Sequence, residues 1–175
     1  MKTISQLRFP MLAALALLLA LPASRGADAK NIQVDVNFDH PEKFTDFKDT
    51  SMSTEKGRAY LMSEFTNDIR ETAKRYLAPG DHLEVTFTDI NLAGEYEPQR
   101  GPRFDEVRIM KSIYPPRMAI TFKLQSADGK VVAEGERKLI DMNYLMTTPP
   151  GFDNDRLRYD KALVNDWMRS EFPKR

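Results

Sequence analysis

Residues 118–142 read MAITFKLQSADGKVVAEGERKLIDM, and their pattern decides the fold. Met118, Ile120, Phe122 and Leu124 alternate with Ala119, Thr121, Lys123 and Gln125, the two-residue period of a strand with one face buried. Asp128-Gly129 is a hairpin turn signal, since tight turns between strands need residues that tolerate positive φ. Val131 to Met142 then returns as the partner strand. Its Glu134, Glu136 and Lys138 share a polar side, so one face of the hairpin meets water.

Upstream, Leu83, Val85 and Phe87 keep the same period and continue to Ile90 and Leu92. The apolar parity switches between Phe87 and Ile90. A bulge near Thr88-Asp89 would cause this and re-aim Asp89; a strand end buried on both faces would look the same. Ile32, Val34, Val36 and Phe38 form another alternating run, ended by His40-Pro41. Between these strands Leu61, Phe65, Ile69, Ala73, Tyr76 and Leu77 recur at three- and four-residue spacing, one apolar face of a long helix. Ser53 or Thr54 caps its start, and Pro79-Gly80 stops it. Phe44 and Phe47 anchor the polar stretch before it. Residues 93–117 are rich in Pro and Gly, with Val107 to Met110 as a short strand. A last helix carries Leu157, Ala162, Leu163, Trp167 and Phe172, with Asp155 as its cap.

The order predicts an α+β domain: an antiparallel sheet of about four to five strands, with the long helix and the C-terminal helix packed on one face. Phe65 and Ile69 are expected on the buried helix face, with Phe122 opposite them.

The N-terminus reads as a leader. Lys2 and Arg8 precede an uncharged apolar run, Met11 to Leu21, followed by Pro22 and the small residues of Ala27-Asp28-Ala29. The run is shorter than the roughly 20 residues that a spanning helix needs. A cleaved signal peptide over residues 1–29 is expected, with Gly26 as the nearby alternative cleavage site and an uncleaved anchor as the rival. Residues 30–175, roughly 146 in all, then form one domain. The chain has no cysteine, so it carries no disulfide, thiolate metal site or lipid-bearing Cys. After cleavage no membrane anchor is expected.

The full chain holds 26 basic and 26 acidic residues. Three basic residues and one acidic residue leave with the leader, which sets the remainder near −2. No basic stripe is visible, so nucleic acid is not an expected partner. His40 and His82 lack companions at ligand spacing, and Asp153-Asn154-Asp155 lacks the spaced carboxylates and central Gly of an EF-hand loop. No metal and no cofactor are expected, and no residue is nominated as catalytic.

Five segments remain: D-I-x-L-A-G-x-Y-E-P at 89–98, D-x-V-R-I-M at 105–110, D-M-N-Y at 141–144, L-R-Y-D-K at 157–161, and Asp166-Trp167. In this order they resemble a family of exported proteobacterial proteins catalogued as a domain of unknown function. The resemblance runs from the Ile32 strand to the last helix. It implies a periplasmic protein of a Gram-negative bacterium and brings no activity, ligand or catalytic residue.

These segments concentrate charge in loops. Asp89, Glu97, Arg108, Asp141, Tyr144 and Arg158 are the candidate ligand-binding residues. As a structural clasp, Arg and carboxylate side chains tie the loops to the sheet, with Asp89–Arg108 and Asp141–Arg158 as the expected pairs. As a site, the two arginines hold an anion, or Asp89 and a second carboxylate act as acid and base on a glycan. Three functions follow: a non-catalytic binding or cell-envelope accessory module, a carboxylate-dependent hydrolase of an envelope glycan or peptide, and a structural partner in an envelope assembly. The first is the preferred reading, with a small ligand or an envelope component as partner.

Overall fold

A computed structural model describes residues 31–101, 106–146 and 155–173. Residues 1–30, on which the expected leader falls, and Arg103, Asp105, Asp153 and Asn154 lie outside the described residues.

Strand β1 (Gln33–Phe38) is followed by helix α1 (Thr54–Tyr76), strand β2 (His82–Asn91) and two short strands, β3 (Glu95–Tyr96) and β4 (Arg108–Ile109). Strands β5 (Arg117–Gln125) and β6 (Val131–Ile140) form the hairpin, and helix α2 (Arg158–Glu171) closes the order. The main sheet has four strands in the order β1-β2-β5-β6, and β3 pairs with β4 in a small second sheet. The architecture is α+β, as expected.

The sheet is mixed rather than antiparallel throughout, because β1 runs parallel to β2. The intervening helix explains this. A parallel pair needs a crossover, and α1 carries the chain back along the sheet so that β2 starts at the same end as β1. The other two pairings are antiparallel. The parity switch in β2 is a bulge: the register with β5 shifts between Phe87 and Asp89.

Alternation separates the two sheet faces. Leu83, Val85, Phe87 and Ile90 on β2 align with Leu124, Phe122, Ile120 and Met118 on β5, and all are buried. Glu84, Lys123, Glu134 and Lys138 occupy the opposite, polar side. On the edge strand β6, exposed Glu134, Glu136 and Lys138 discourage pairing with a further strand.

Both helices contribute to one apolar core. Phe65 and Ile69 are fully buried on α1, and Phe65 lies 5.7 Å from Phe87 and 6.1 Å from Phe47 between ring centroids. Phe122 is buried, but its ring neighbours are Trp167 and Phe172 at 5.5 and 5.7 Å. It therefore packs against α2, not opposite Phe65, because β5 is one strand farther from β1 than β2 is. Over that ring lies Arg137, which also donates two 2.8 Å hydrogen bonds to Glu171 and ties β6 to the end of α2. Buried polar groups link the helices. Lys161 donates to Glu64 at 2.7 Å and Asp155 at 2.6 Å, and Asn165 accepts from Thr72 at 2.7 Å.

Candidate functional site

The site grows from the end of β2. Asp46, in the stretch anchored by the buried Phe44 and Phe47, forms a parallel bridge with Asn91. Its amide donates to Ile90, and its carbonyl accepts from Leu92. The chain then turns at Gly94, where φ is 77° and an added Cβ would lie 2.7 Å from Met110 Sδ and 2.9 Å from the Ile109 carbonyl oxygen. Only glycine tolerates both the conformation and the approach. This turn starts the small sheet, whose β4 brings Arg108 beneath Asp46.

Arg108 is the hub. It donates to Asp46 Oδ2 at 2.6 Å and Oδ1 at 3.3 Å, and to the carbonyls of Gly94 at 3.0 Å and Lys48 at 3.3 Å. Its guanidinium lies 4.5 Å from the Tyr96 ring centroid, over the cross-strand neighbour. Side-chain exposures of 14% for Arg108 and 6% for Asp46 make this a largely desolvated, fork-to-fork ion pair.

Asp160, in the first turn of α2, is 1% exposed. Its Oδ1 accepts the Ala93 amide at 2.9 Å. Burial pushes its carboxyl up to about 7, against the Ala93 amide and the charge of Arg108, and Asp46 adds repulsion. Burial is the dominant cause; Arg108 opposes it, and its pairing with Asp46 puts a second anion near the same cation.

Asp160 and Arg108 line a cavity of about 370 Å³ between the start of α2, the small sheet and α1. Leu61, Leu92, Val107, Met110 and Leu157 supply its apolar wall, and Tyr60 and Tyr96 its rings. Lys48, Arg156 and Arg158 add cations, while Asp49 and Glu106 add carboxylates. Arg156 lies 3.2 Å from Asp49. Burial alone would raise the Asp49 carboxyl, but the Ser51 hydroxyl and amide, with Arg156 and Arg108, hold it below its ordinary value. Among the described residues no carboxylate forms an ion pair with Arg158, whose guanidinium lies 4.6 Å from the Tyr159 ring centroid. Lys48 likewise sits over Tyr96, at 5.6 Å.

Of the six residues singled out in the sequence, Arg108 and Arg158 reach this cavity and the other four do not. Asp89 accepts from the Thr45 amide at 2.7 Å and hydroxyl at 2.8 Å, so the expected Asp89–Arg108 pair is not formed. The bulge places Asp89 across from Ala119, on the polar side of the sheet. Asp141 accepts the Asn143 amide at 2.8 Å and serves its own turn, which leaves the expected Asp141–Arg158 pair unmade as well.

Glu97 is 3% exposed and clasps the small sheet through Lys111, Tyr114 at 2.9 Å and Arg100 at 3.4 Å. The Lys111 ammonium holds its carboxyl low against the effect of burial. Tyr144 is buried, donates to the Lys111 carbonyl at 2.7 Å and meets the Tyr159 ring edge-on at 4.8 Å. Burial pushes its phenol up.

Lys48, Asp49 and Asp46 escaped the sequence reading because their stretch was legible only through Phe44 and Phe47. Asp160 and Arg158 lay together in L-R-Y-D-K, which was the one available signal. Asp155, one residue of the calcium-like run, accepts the Leu157 amide in a turn and pairs with Lys161; the cap position of α2 is Leu157, not Asp155 as expected, and no side chain caps it. Among the described residues no group of three side chains is arranged to hold a metal, and no helix is long and apolar enough to cross a membrane.

No curated protein and no solved structure matches the chain. Residues 32–170 match a family described as "Protein of unknown function (DUF3016)", a span that runs from β1 to the last turn of α2. With most of its length inside that match, the chain belongs to the DUF3016 family.

Proposed function

We propose that this protein is a non-catalytic binding module that holds a small ligand in the cavity between α2 and the small sheet. The observation that carries the reading is the cavity itself. At about 370 Å³ it falls within the range of small-molecule sites, and it joins an apolar wall to a few convergent polar groups. The leader-like N-terminus supports work in the periplasm of a Gram-negative cell, as a free protein after cleavage.

Three aromatic probes of similar shape test the reading by saturation-transfer NMR: phenylacetate, phenethyl alcohol and phenethylamine. At least one should bind the wild-type protein. Val107→Trp, at a half-exposed wall position, should fill the cavity and abolish that binding without unfolding the domain. Failure of all three probes, or binding that survives the filled cavity, refutes it.

A second reading, a carboxylate-dependent hydrolase of an envelope glycan or peptide, has one observation in its favour. Asp160 and Asp49 line the same cavity with carboxyls pushed in opposite directions, the condition that lets one act as acid and the other as base. Both are engaged, Asp160 by Ala93 and Asp49 by Ser51 and Arg156. Release of soluble fragments from purified peptidoglycan by the wild type, lost in Asp49→Asn, would establish this alternative.

A further inference from the structure

We infer that the cavity takes a small anion with an apolar body, and that its capture is coupled to proton uptake at Asp160. This rests on the binding reading above and adds the class of ligand and its control.

The charges around the cavity do not cancel locally. Arg108 is matched from behind by Asp46, and Arg156 by Asp49. Lys48 and Arg158 remain without a carboxylate partner among the described residues, and both lie over tyrosine rings rather than against anions. Glu106 lies exposed at the rim. Arg158 lies over the Tyr159 ring and donates one long hydrogen bond, 3.5 Å, to its hydroxyl, which leaves its remaining guanidinium N–H groups for a carboxylate or similar oxyanion. The apolar wall formed by Leu61, Leu92, Val107, Met110 and Leu157 asks for a hydrocarbon or aromatic body on the same molecule.

Asp160 responds to such a ligand. Arg108 faces it from β4, Asp46 from the stretch before α1, the Ala93 amide from the turn after β2, and the Tyr144 phenol from the segment after β6. On α1 the ionisable groups turned toward α2 are Glu64 and Asp68, met by Lys161 and Asn165. The guanidinium facing Asp160 is thus already committed to Asp46. An incoming anion adds negative charge near the buried carboxyl and favours its protonated form. By linkage the protonated protein binds the anion more tightly, so affinity falls as pH rises through neutrality.

Calorimetric titration with phenylacetate, which stays ionised between about pH 6 and pH 8, tests both parts. Wild type should bind phenylacetate more tightly than phenethyl alcohol, and phenethylamine least. Arg158→Gln and Lys48→Gln, both at partly exposed side chains, should each weaken phenylacetate by about tenfold. From pH 6 to pH 8 the wild-type affinity should fall about fivefold, with net proton uptake seen as a dependence on buffer ionisation enthalpy. Asp160→Asn keeps an acceptor for Ala93 and should bind with a flat pH profile and no proton uptake. If the alcohol or the amine binds as tightly as phenylacetate, and Val107→Trp blocks it, the anion inference falls while the cavity remains a binding site. An unchanged pH profile in Asp160→Asn overturns the proton coupling. Absence of binding by all three probes overturns this inference and the reading beneath it.

Discussion

Asp160→Asn should make the ligand-free protein more stable, and increasingly so as pH rises. The Asp160 carboxyl rises from 3.8 to about 7 in the folded protein because burial penalises its charge more than the Ala93 amide and Arg108 favour it. The folded state therefore binds its proton more tightly than the unfolded chain does. Ionisation weakens folding once the pH exceeds the unfolded value, and the penalty is complete above the folded value. At about 1.36 kcal/mol for each tenfold change in proton affinity, the full penalty is about 4 kcal/mol. Near pH 5 it is about 2 kcal/mol, and below about pH 3 it vanishes. Asn cannot ionise, and its carbonyl oxygen can still accept the Ala93 amide. Urea denaturation of both proteins at several pH values measures the difference. The advantage of Asn over Asp should widen by about 2–3 kcal/mol between pH 5 and pH 8. Asp68, raised to about 6 by burial, adds its own pH dependence, but it is common to both proteins and cancels. A gap that stays constant or narrows over this interval would refute the argument that Asp160 is held neutral.

Other outcomes follow from the contacts. Arg108→Ala leaves Asp46 buried without its cation and should cost about 3–5 kcal/mol. Asp141→Ala loses one turn hydrogen bond and should cost about 1 kcal/mol or less, so equal drops in melting temperature for the two variants would contradict the assignment. Phe65→Ala, at a fully buried ring between α1 and β2, should cost about 3–5 kcal/mol in urea, and ordinary stability would show that the core is misplaced. N-terminal sequencing of protein from a periplasmic fraction should begin at or near Lys30; an intact Met1 in the membrane fraction would count against export.

The strands and helices were legible because each buries one side, and burial of one side writes a period into the sequence. The hairpin from Met118, the Leu61–Leu77 face of α1 and the parity switch at Asp89 were all read this way, as was the order that makes the chain α+β. The direction of β1 was not, because the period of a strand is the same whether its neighbour runs with it or against it. Only the length of α1 hinted at a crossover. The site was less legible still. Ion pairs form between segments distant in sequence, and a charged residue carries no mark of its partner. Asp89 and Arg108 lie close in the chain, yet Thr45 takes the first and Asp46 the second. Local turns claimed Asp141, and burial turned Tyr144 into a strut. The charge-rich segments were determined by sequence alone. The tertiary structure decided which charges are spent on each other and which, at Lys48 and Arg158, meet tyrosine rings and no carboxylate among the described residues.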